Sequence, residues 1–154
     1  MNNYETLLDK AHIAGLTVKE KPLLASDGRI NGSKIAIRQD IGTIAEKSCV
    51  LAEELGHHYT STGNIIDMAE VKNRKQERQA RLWAYNKIIG LRGIIDAYEY
   101  GCRNLYEAAE YLEVTEEFLK KCVDCYRAKY GVGKMIDNYY IMFIPHLMVG
   151  KIVN

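Results

Sequence analysis

The sequence places two carboxylates and an imidazole within five positions, at Glu53, Glu54 and His57. In a helix, positions 53 and 57 lie one turn apart on the same face, which is the spacing of the first two metal ligands in zinc peptidases of the zincin type. In that arrangement the residue after the first ligand is the general base, and Glu54 holds this position. The usual first ligand is histidine, whereas this chain has Glu53. The pattern predicts a metal-dependent hydrolase with Glu53 and His57 as ligands and Glu54 as the base.

A third protein ligand is expected from a following helix, because catalytic zinc sites take three ligands from the protein and leave one position open. Glu77 fits this role. It shares a helix face with Ala80 and Ala84, and Gly56 on the preceding helix also permits close helix contact. A carboxylate on such a face is costly to bury alone, and a metal ion removes most of that cost. We therefore expect Glu77 to complete the ligand set and Zn²⁺ to be the cofactor.

Less specific interpretations accompany this pattern. Surface helices often carry adjacent glutamates, and one histidine after them is common by chance, so a solvated helix face is the alternative to a metal site. His58 points about 100° away from His57 in a helix, which places it behind the ligands or on the surface. His146 is expected to be structural, with a transition-state donor as the alternative.

The chain has four cysteines, two of them at Cys122 and Cys125 with the spacing of half a zinc knuckle. No second cysteine pair or nearby histidine completes four ligands. We expect Cys122 and Cys125 to be core or surface thiols of a helix. In a chain without a secretion signal, all four should stay reduced.

The elements that must position the candidate ligands can be read from caps and periodicity. Thr43 and Glu46 form a capping-box pattern, so a helix is expected to begin there and to run through His57 to about Tyr59. The helix that carries Glu77 is expected over Met68 to Ile89, with a stop at Gly90. Before them, a helix over Tyr4 to Ala14 and a small antiparallel sheet within Thr17 to Arg38 are expected, the sheet containing a hairpin with a type I′ turn at Asn31-Gly32.

The later part of the chain is predicted to be mostly helical. Helices are expected over Gly93 to Tyr98, Asn104 to Leu112 and Thr115 to Tyr130, followed by a buried or edge strand at Tyr139 to Ile144. The pair of helices around Glu113-Val114 superficially resembles a DNA-binding unit. Its second helix begins with acidic residues where phosphates would lie, so a packing subdomain that shapes the substrate cleft is the favoured interpretation.

Length and composition indicate one ordered domain. The chain has 154 residues, 47% of them hydrophobic and 27% charged, and a formal net charge of +1. This near-neutral balance gives no global electrostatic reason to bind nucleic acid or anionic membranes, although a local patch remains possible. The start lacks a signal-peptide pattern, and no apolar run is long enough to cross a membrane. We expect a single domain over residues 1–154, in the cytosol.

Two segments resemble the ImmA/IrrE metallo-endopeptidase family. They are the run Ile41 to Tyr59, preceded by the strand Gly32 to Ile37, and the glutamate-x-x-alanine helix Glu77 to Ala84. The resemblance implies a zincin-like α+β fold, mostly helical, with the small antiparallel sheet near the N-terminus and a helical part from about residue 93 packed on the catalytic part. It also implies Glu53, His57 and Glu77 as zinc ligands and Glu54 as the base. Glu53 departs from the histidine of many members, and a glutamate occurs among phage-type relatives.

Members of this family are typically phage or mobile-element proteins that cleave a helix-turn-helix repressor, or stress regulators acting through such cleavage. The resemblance thus implies a zinc endopeptidase of the bacterial or phage-host cytosol whose partner is such a repressor, without nucleic-acid or membrane binding. The alternative is a non-catalytic antirepressor that binds a regulator protein, with Glu53 marking lost catalysis. Metal content discriminates between the two hypotheses.

Overall fold

The computed structural model describes residues 2–61 and 74–153, which belong to two compact units, Met1–Lys87 and Ile88–Asn154. The described elements mix helices with short strands, and helices predominate, in agreement with the expected α+β class. In chain order they are α1 (Asn3–Ile13), β1 (Thr17–Lys21), β2 (Gly28–Asn31), β3 (Lys34–Arg38), α2 (Ile44–Thr60), α3 (Arg74–Ile88), α4 (Gly90–Tyr100), α5 (Leu105–Leu112), α6 (Glu116–Tyr130), β4 (Gly133–Ile136), β5 (Tyr139–Met142) and β6 (Met148–Lys151).

The sheet of the first unit is mixed, which corrects the prediction of an antiparallel sheet. Its strand order is β1-β3-β2, with β1 parallel to β3 and β2 antiparallel to β3. When three consecutive strands alternate in direction, the sheet is fully antiparallel only if the second strand lies in the middle. Here β3 lies between β1 and β2, so the first and third strands run side by side in the same direction.

The hairpin between β2 and β3 confirms the prediction of a tight turn, but the turn is one residue later than expected. Asn31 pairs with Lys34, so the two loop residues are Gly32 and Ser33. Gly32 has a φ of +62°. Ser33 is not among the positive-φ residues, so the type I′ assignment to Asn31-Gly32 is wrong.

One face of this sheet is covered by α1 and α2. α1 contacts β1, and α2 contacts both β2 and β3. Ile35 and Ile37 of β3 are buried on this side, together with Leu51 and Leu55 of α2. The alternation of burial along β3 follows from the period of two residues in a strand, which sends every second side chain into the core.

The predicted end of α1 is confirmed to within one residue, and the predicted cap at the start of α2 is also confirmed. α1 ends before Gly15, which has a φ of +80°. Thr43 accepts a hydrogen bond of 3.1 Å from the Glu46 backbone nitrogen at the start of α2. The expected start of the next helix at Met68 lies outside the described residues, and α3 is described from Arg74.

The second unit contains α4 to α6 and a three-stranded antiparallel sheet of order β4-β5-β6. Asn104 and Thr115 cap α5 and α6 through hydrogen bonds from the Glu107 and Phe118 backbone nitrogens, at the predicted starts of these helices. α4 is longer than expected at both ends. The predicted strand is confirmed as β5, the central strand. β4 and β6 were not predicted, because each is four residues long and contains no buried residue, so neither shows the alternation of a half-buried strand.

No helix among the described residues is both long and apolar enough to cross a membrane. The expectation of a single domain over residues 1–154 stays a prediction.

Candidate metal centre

The C-terminal half of α2 carries Glu53, Glu54 and His57, as the sequence predicted. Glu54 is only 8% exposed, so it faces the interior of the unit. Glu53 and His57 are half-buried. Since the residues before and between them include buried Leu51, Ala52 and Leu55, the helix is fixed by its apolar side and presents these polar groups at the border of the core.

α3 crosses α2 with its backbone close to Gly56. A Cβ atom at Gly56 would overlap the carbonyl oxygen of Ala80 and lie 2.9 Å from the carbonyl carbon. Ala80 is itself fully buried. Glycine on one helix and alanine on the other therefore allow a backbone contact that larger side chains would prevent. The sequence-based prediction of close contact at Gly56 is confirmed.

This crossing brings His57 and Glu77 together. Gly56 immediately precedes His57, and Glu77 lies one turn before Ala80. The His57 Nε2 atom lies 3.3 Å from Glu77 Oε1, and the two side chains are 16% and 24% exposed. Both groups are thus partly accessible to solvent. Arg81 extends toward the other Glu77 oxygen, with Nη2 3.8 Å from Oε2.

The separation of these two atoms suits a shared metal ion. Two ligands bound to zinc at 2.0–2.2 Å with a tetrahedral angle are about 3.3–3.6 Å apart, which includes the observed distance. The same distance is long for a nitrogen–oxygen hydrogen bond. Imidazole nitrogen and carboxylate oxygen are both common zinc donors. The pair therefore fits two of the three ligands of a zinc site in distance and chemistry.

Glu53 is the third candidate ligand. Within residues 2–61 and 74–153, no group of three or more histidine, cysteine, aspartate or glutamate side chains is arranged to hold a metal ion. The arrangement thus supplies two convergent donors, with Glu53 four positions before His57 on the same helix. Side chains at this spacing have Cβ atoms about 5–6 Å apart, so Glu53 and His57 are close enough on the helix to bind one metal ion.

An aromatic contact also joins the two helices beside the pair. The rings of Tyr59 and Trp83 stack, with centroids 5.1 Å apart and an interplanar angle of 13°. The Lys10 ammonium of α1 lies 5.0 Å from the Tyr59 centroid, and the His58 ring meets Tyr59 edge-on at 4.8 Å. Stacked pairs stabilise by about 0.5–1.5 kcal/mol beyond their buried area. The contact therefore helps to hold α3 in register with α2, and His58 supports Tyr59.

Gly28 of β2 contacts the candidate base and was missed as a site residue. A Cβ atom at Gly28 would lie 2.6 Å from Val50 Cγ1 and 3.1 Å from Glu54 Cγ. The strand thus forms a wall against the Glu54 side chain that only glycine permits. In the sequence, the Asp27-Gly28 pair is typical of a turn between strand segments. A glycine at the start of a strand also marks close approach of another group, and that signal was available.

The cysteine pair of α6 has a different environment. Cys122 is fully buried and Cys125 half-buried, and both are free thiols. Burial raises the pKa of Cys122 to about 12, and burial also raises the pKa of Cys125. The thiolate is the metal-binding form, so these shifts disfavour metal binding at neutral pH. The prediction that both are thiols of a helix is confirmed.

The remaining predicted histidine, His146, is exposed in the segment between β5 and β6.

Among known proteins, a family model described as Peptidase_M78, IrrE N-terminal-like domain, matches residues 14–123. This range contains β1 to β3, α2, α3 and all four candidate site residues, and extends into α6. No curated protein and no solved structure matches the chain.

Proposed function

The chain belongs to the IrrE N-terminal-like family of M78 peptidases, and from this premise we propose that it is a zinc-dependent endopeptidase that cleaves a helix-turn-helix repressor. The family match covers most of the chain and supports a function of the metallopeptidase type. The finer parts of the proposal are the metal, the residues that hold it and the substrate. The zincin-like character of the fold belongs to the same proposal.

One observation carries the assignment of the site. His57 and Glu77 come from different helices, and their side-chain donors lie 3.3 Å apart beside the buried Glu54. The backbone contact at Gly56 fixes this proximity, so it does not depend on flexible side chains alone. We assign His57, Glu77 and Glu53 as the ligands of Zn²⁺.

His57, Glu77 and Glu53 would hold Zn²⁺, which when bound would supply a Lewis acid for the scissile carbonyl and for the attacking water. Glu54 then takes a proton from the attacking water and returns it to the leaving amine. The wall formed by the strand at Gly28 restricts the Glu54 side chain, which keeps the proton acceptor in one place. Two carboxylate ligands would balance the charge of the metal, so its water would be less acidic than in a site with two histidines and one carboxylate. We therefore expect slow proteolysis, which suits a regulator.

The substrate assignment rests on the family resemblance. Relatives of the phage or mobile-element type remove a repressor by cutting it, and a repressor of this kind would be met in the bacterial cytosol. The competing proposal, an antirepressor that binds a regulator without cutting it, shares the fold and the partner. It requires neither zinc in stoichiometric amount nor a functional Glu54.

The test is to co-express the protein with a helix-turn-helix repressor encoded by a neighbouring gene, and to compare wild type with Glu54→Gln. The amide keeps the shape of the side chain but cannot accept the proton, so we expect full zinc content and loss of repressor cleavage. Glu99→Gln makes the same chemical change at an exposed position of α4 and should cleave normally.

Repressor cleavage by Glu54→Gln at the wild-type rate would exclude Glu54 as the base. Stable binding of an intact repressor by a wild-type protein without stoichiometric zinc would favour the antirepressor.

A further inference from the structure

In the first unit, α1 and α2 cover one face of the sheet, and most side chains of the opposite face are exposed. Gly28 of β2 contacts α2, and Gly28 pairs with Ile37, which is fully buried. Glu20, which also pairs with Ile37, bonds to Lys47 of α2. These residues define the inner face. The alternate positions define the opposite one, here called the outer sheet face: Thr17, Lys19, Lys21, Arg29, Asn31, Lys34, Ala36 and Arg38.

The outer sheet face is strongly cationic. It carries five of the 21 lysine and arginine residues of the chain and no acidic residue among its eight members. Arg38 at one end is neutralised by Asp27 and Asp40, at 2.7 and 2.8 Å. The other four cations are exposed, and none has an ion-pair partner among the described residues. They are Lys19, Lys21, Arg29 and Lys34.

The register places these four charges on a compact grid. Lys19 and Lys21 are two residues apart on β1, which corresponds to about 6.6 Å. Lys19 and Arg29 lie on opposite sides of Ala36, two strand spacings or about 9.6 Å apart. Four like charges at such distances repel one another, and nothing in the described part of the chain relieves the repulsion. The arrangement is therefore complementary to a partner with several closely spaced anions.

We propose that the outer sheet face binds the phosphate backbone of duplex DNA, without reading its sequence. Anchors of protein partners are usually aromatic or apolar side chains that fill pockets. The outer sheet face has none, and its central residue is Ala36. Stable attachment to a membrane needs an apolar insertion in addition to cations. Single-stranded nucleic acids are held by base stacking on aromatic rings, which are also absent from these eight positions. Duplex phosphates require only exposed cations on a surface without obstruction.

This inference goes beyond the proposed peptidase function and does not depend on it. The inner face carries Gly28 and contacts α2, so the phosphate-binding side chains point away from the helix that bears Glu54 and His57. The near-neutral net charge, which argued against nucleic acid for the chain as a whole, conceals the segregation of charge onto this face. A repressor that sits on DNA would then be met by a protein that is weakly attached to the same DNA.

The test is fluorescence anisotropy of the full chain with a short labelled DNA duplex of arbitrary sequence, between about 50 and 200 mM salt. We expect weak binding, with Kd of about 10⁻⁴–10⁻⁶ M, and a slope of log K against log salt of about −3 to −4 for four phosphate contacts. The double variant Lys19→Gln/Lys21→Gln should reduce the magnitude of this slope by about 2, one for each lysine.

The matched control is Lys87→Gln/Lys120→Gln, which removes the same charge from exposed positions of α3 and α6. It should keep the wild-type slope, and so should Glu54→Gln, which separates DNA binding from peptidase activity. Absence of duplex binding by wild type, or equal loss in the control, would overturn the proposal. Tighter binding to a polyglutamate peptide or to phosphatidylserine vesicles than to DNA would also overturn it, in favour of a protein or membrane partner.

Discussion

Two regions of this molecule offer pairs of metal-binding side chains, and they differ in how those side chains are supplied. His57 and Glu77 come from α2 and α3 and are partly exposed, with donor atoms 3.3 Å apart. Cys122 and Cys125 come from one helix, and burial raises the pKa of both thiols. A complete metal site needs donors from more than one element, and thiols bind metal as thiolates. His57 and Glu77 supply donors from two helices, whereas the α6 thiols lie on one helix and burial disfavours their thiolate forms.

Close packing of two helices brings the donor atoms of His57 and Glu77 together. In the α2–α3 region, a glycine–alanine backbone contact lies directly beside the donors. In α6, the sulfur atoms are three residues apart on a helix whose buried side includes Phe118, Leu119 and Val123. Packing against apolar neighbours withdraws Cys122 from solvent and explains its spacing without any ligand. The spacing of Cys122 and Cys125 can therefore arise from packing in a hydrophobic core, whereas a metal site also depends on donors from a second helix.

The largest expected effect comes from removing either converging donor. His57→Ala or Glu77→Ala takes away one ligand of a three-ligand site, so zinc affinity should fall by more than about 100-fold. Zinc content after dialysis, measured by mass spectrometry, checks this outcome. Glu53→Ala should also lower zinc retention, whereas Glu53→His keeps a ligand on the same helix face and should retain the metal. Full zinc retention in Glu77→Ala would locate the metal elsewhere.

The next effect concerns the helix crossing. In Gly56→Ala, the new methyl group meets the Ala80 carbonyl, so α3 must move and separate Glu77 from His57. We expect a loss of about 1–3 kcal/mol in the free energy of unfolding, from overpacking, and a fall in zinc affinity. Gly42→Ala is the matched control, because a Cβ there meets nothing within 4 Å. Equal zinc affinity in both variants would mean that the crossing does not set the site.

A smaller and more selective effect is expected at Gly28. In Gly28→Ala, the added methyl group presses on Val50 and on the Glu54 side chain, but not on the metal-binding pair. Cleavage should fall by about tenfold or more through misplacement of the base, with zinc content unchanged. Unchanged turnover in Gly28→Ala, measured beside Gly42→Ala, would show that the wall at Gly28 does not position Glu54.

The smallest effect is expected at the cysteines. Cys122→Ser/Cys125→Ser should leave zinc stoichiometry unchanged, because neither sulfur is a ligand. In the wild-type chain, the fraction of Cys122 thiolate stays low at neutral pH, and alkylation of Cys122 should keep accelerating well above pH 9, toward its pKa of about 12. Loss of one zinc equivalent from the double variant would reverse the comparison between the two regions.

Local signals predicted much of this fold. The capping pair of Thr43 and Glu46 acts within one turn, so the sequence alone reveals it, and the structure contains the Thr43 cap. The strand order β1-β3-β2 could not be predicted in this way, because alternation identifies a strand but not its neighbour. For the same reason β4 and β6 were missed: their own hydrophobic patterns are weak, and they form strands by pairing with β5.

The candidate site was predictable to a similar extent. The helical spacing of Glu53, Glu54 and His57 follows from the sequence, and the small residues Gly56 and Ala80 indicated a helix contact. Gly28 was missed because it is far from the motif in sequence and approaches Glu54 only after the strand packs on α2. Such contacts between elements are set by tertiary packing, which a single sequence does not encode in its spacing.

The most direct test of the α2–α3 assignment is zinc K-edge X-ray absorption on the wild-type protein with one equivalent of Zn²⁺. The ligands proposed here are all nitrogen and oxygen, so the first shell should fit scatterers at about 2.0–2.2 Å, with the imidazole signature of a single histidine and no sulfur. A sulfur scatterer at about 2.3 Å would place the metal at cysteine and contradict the account.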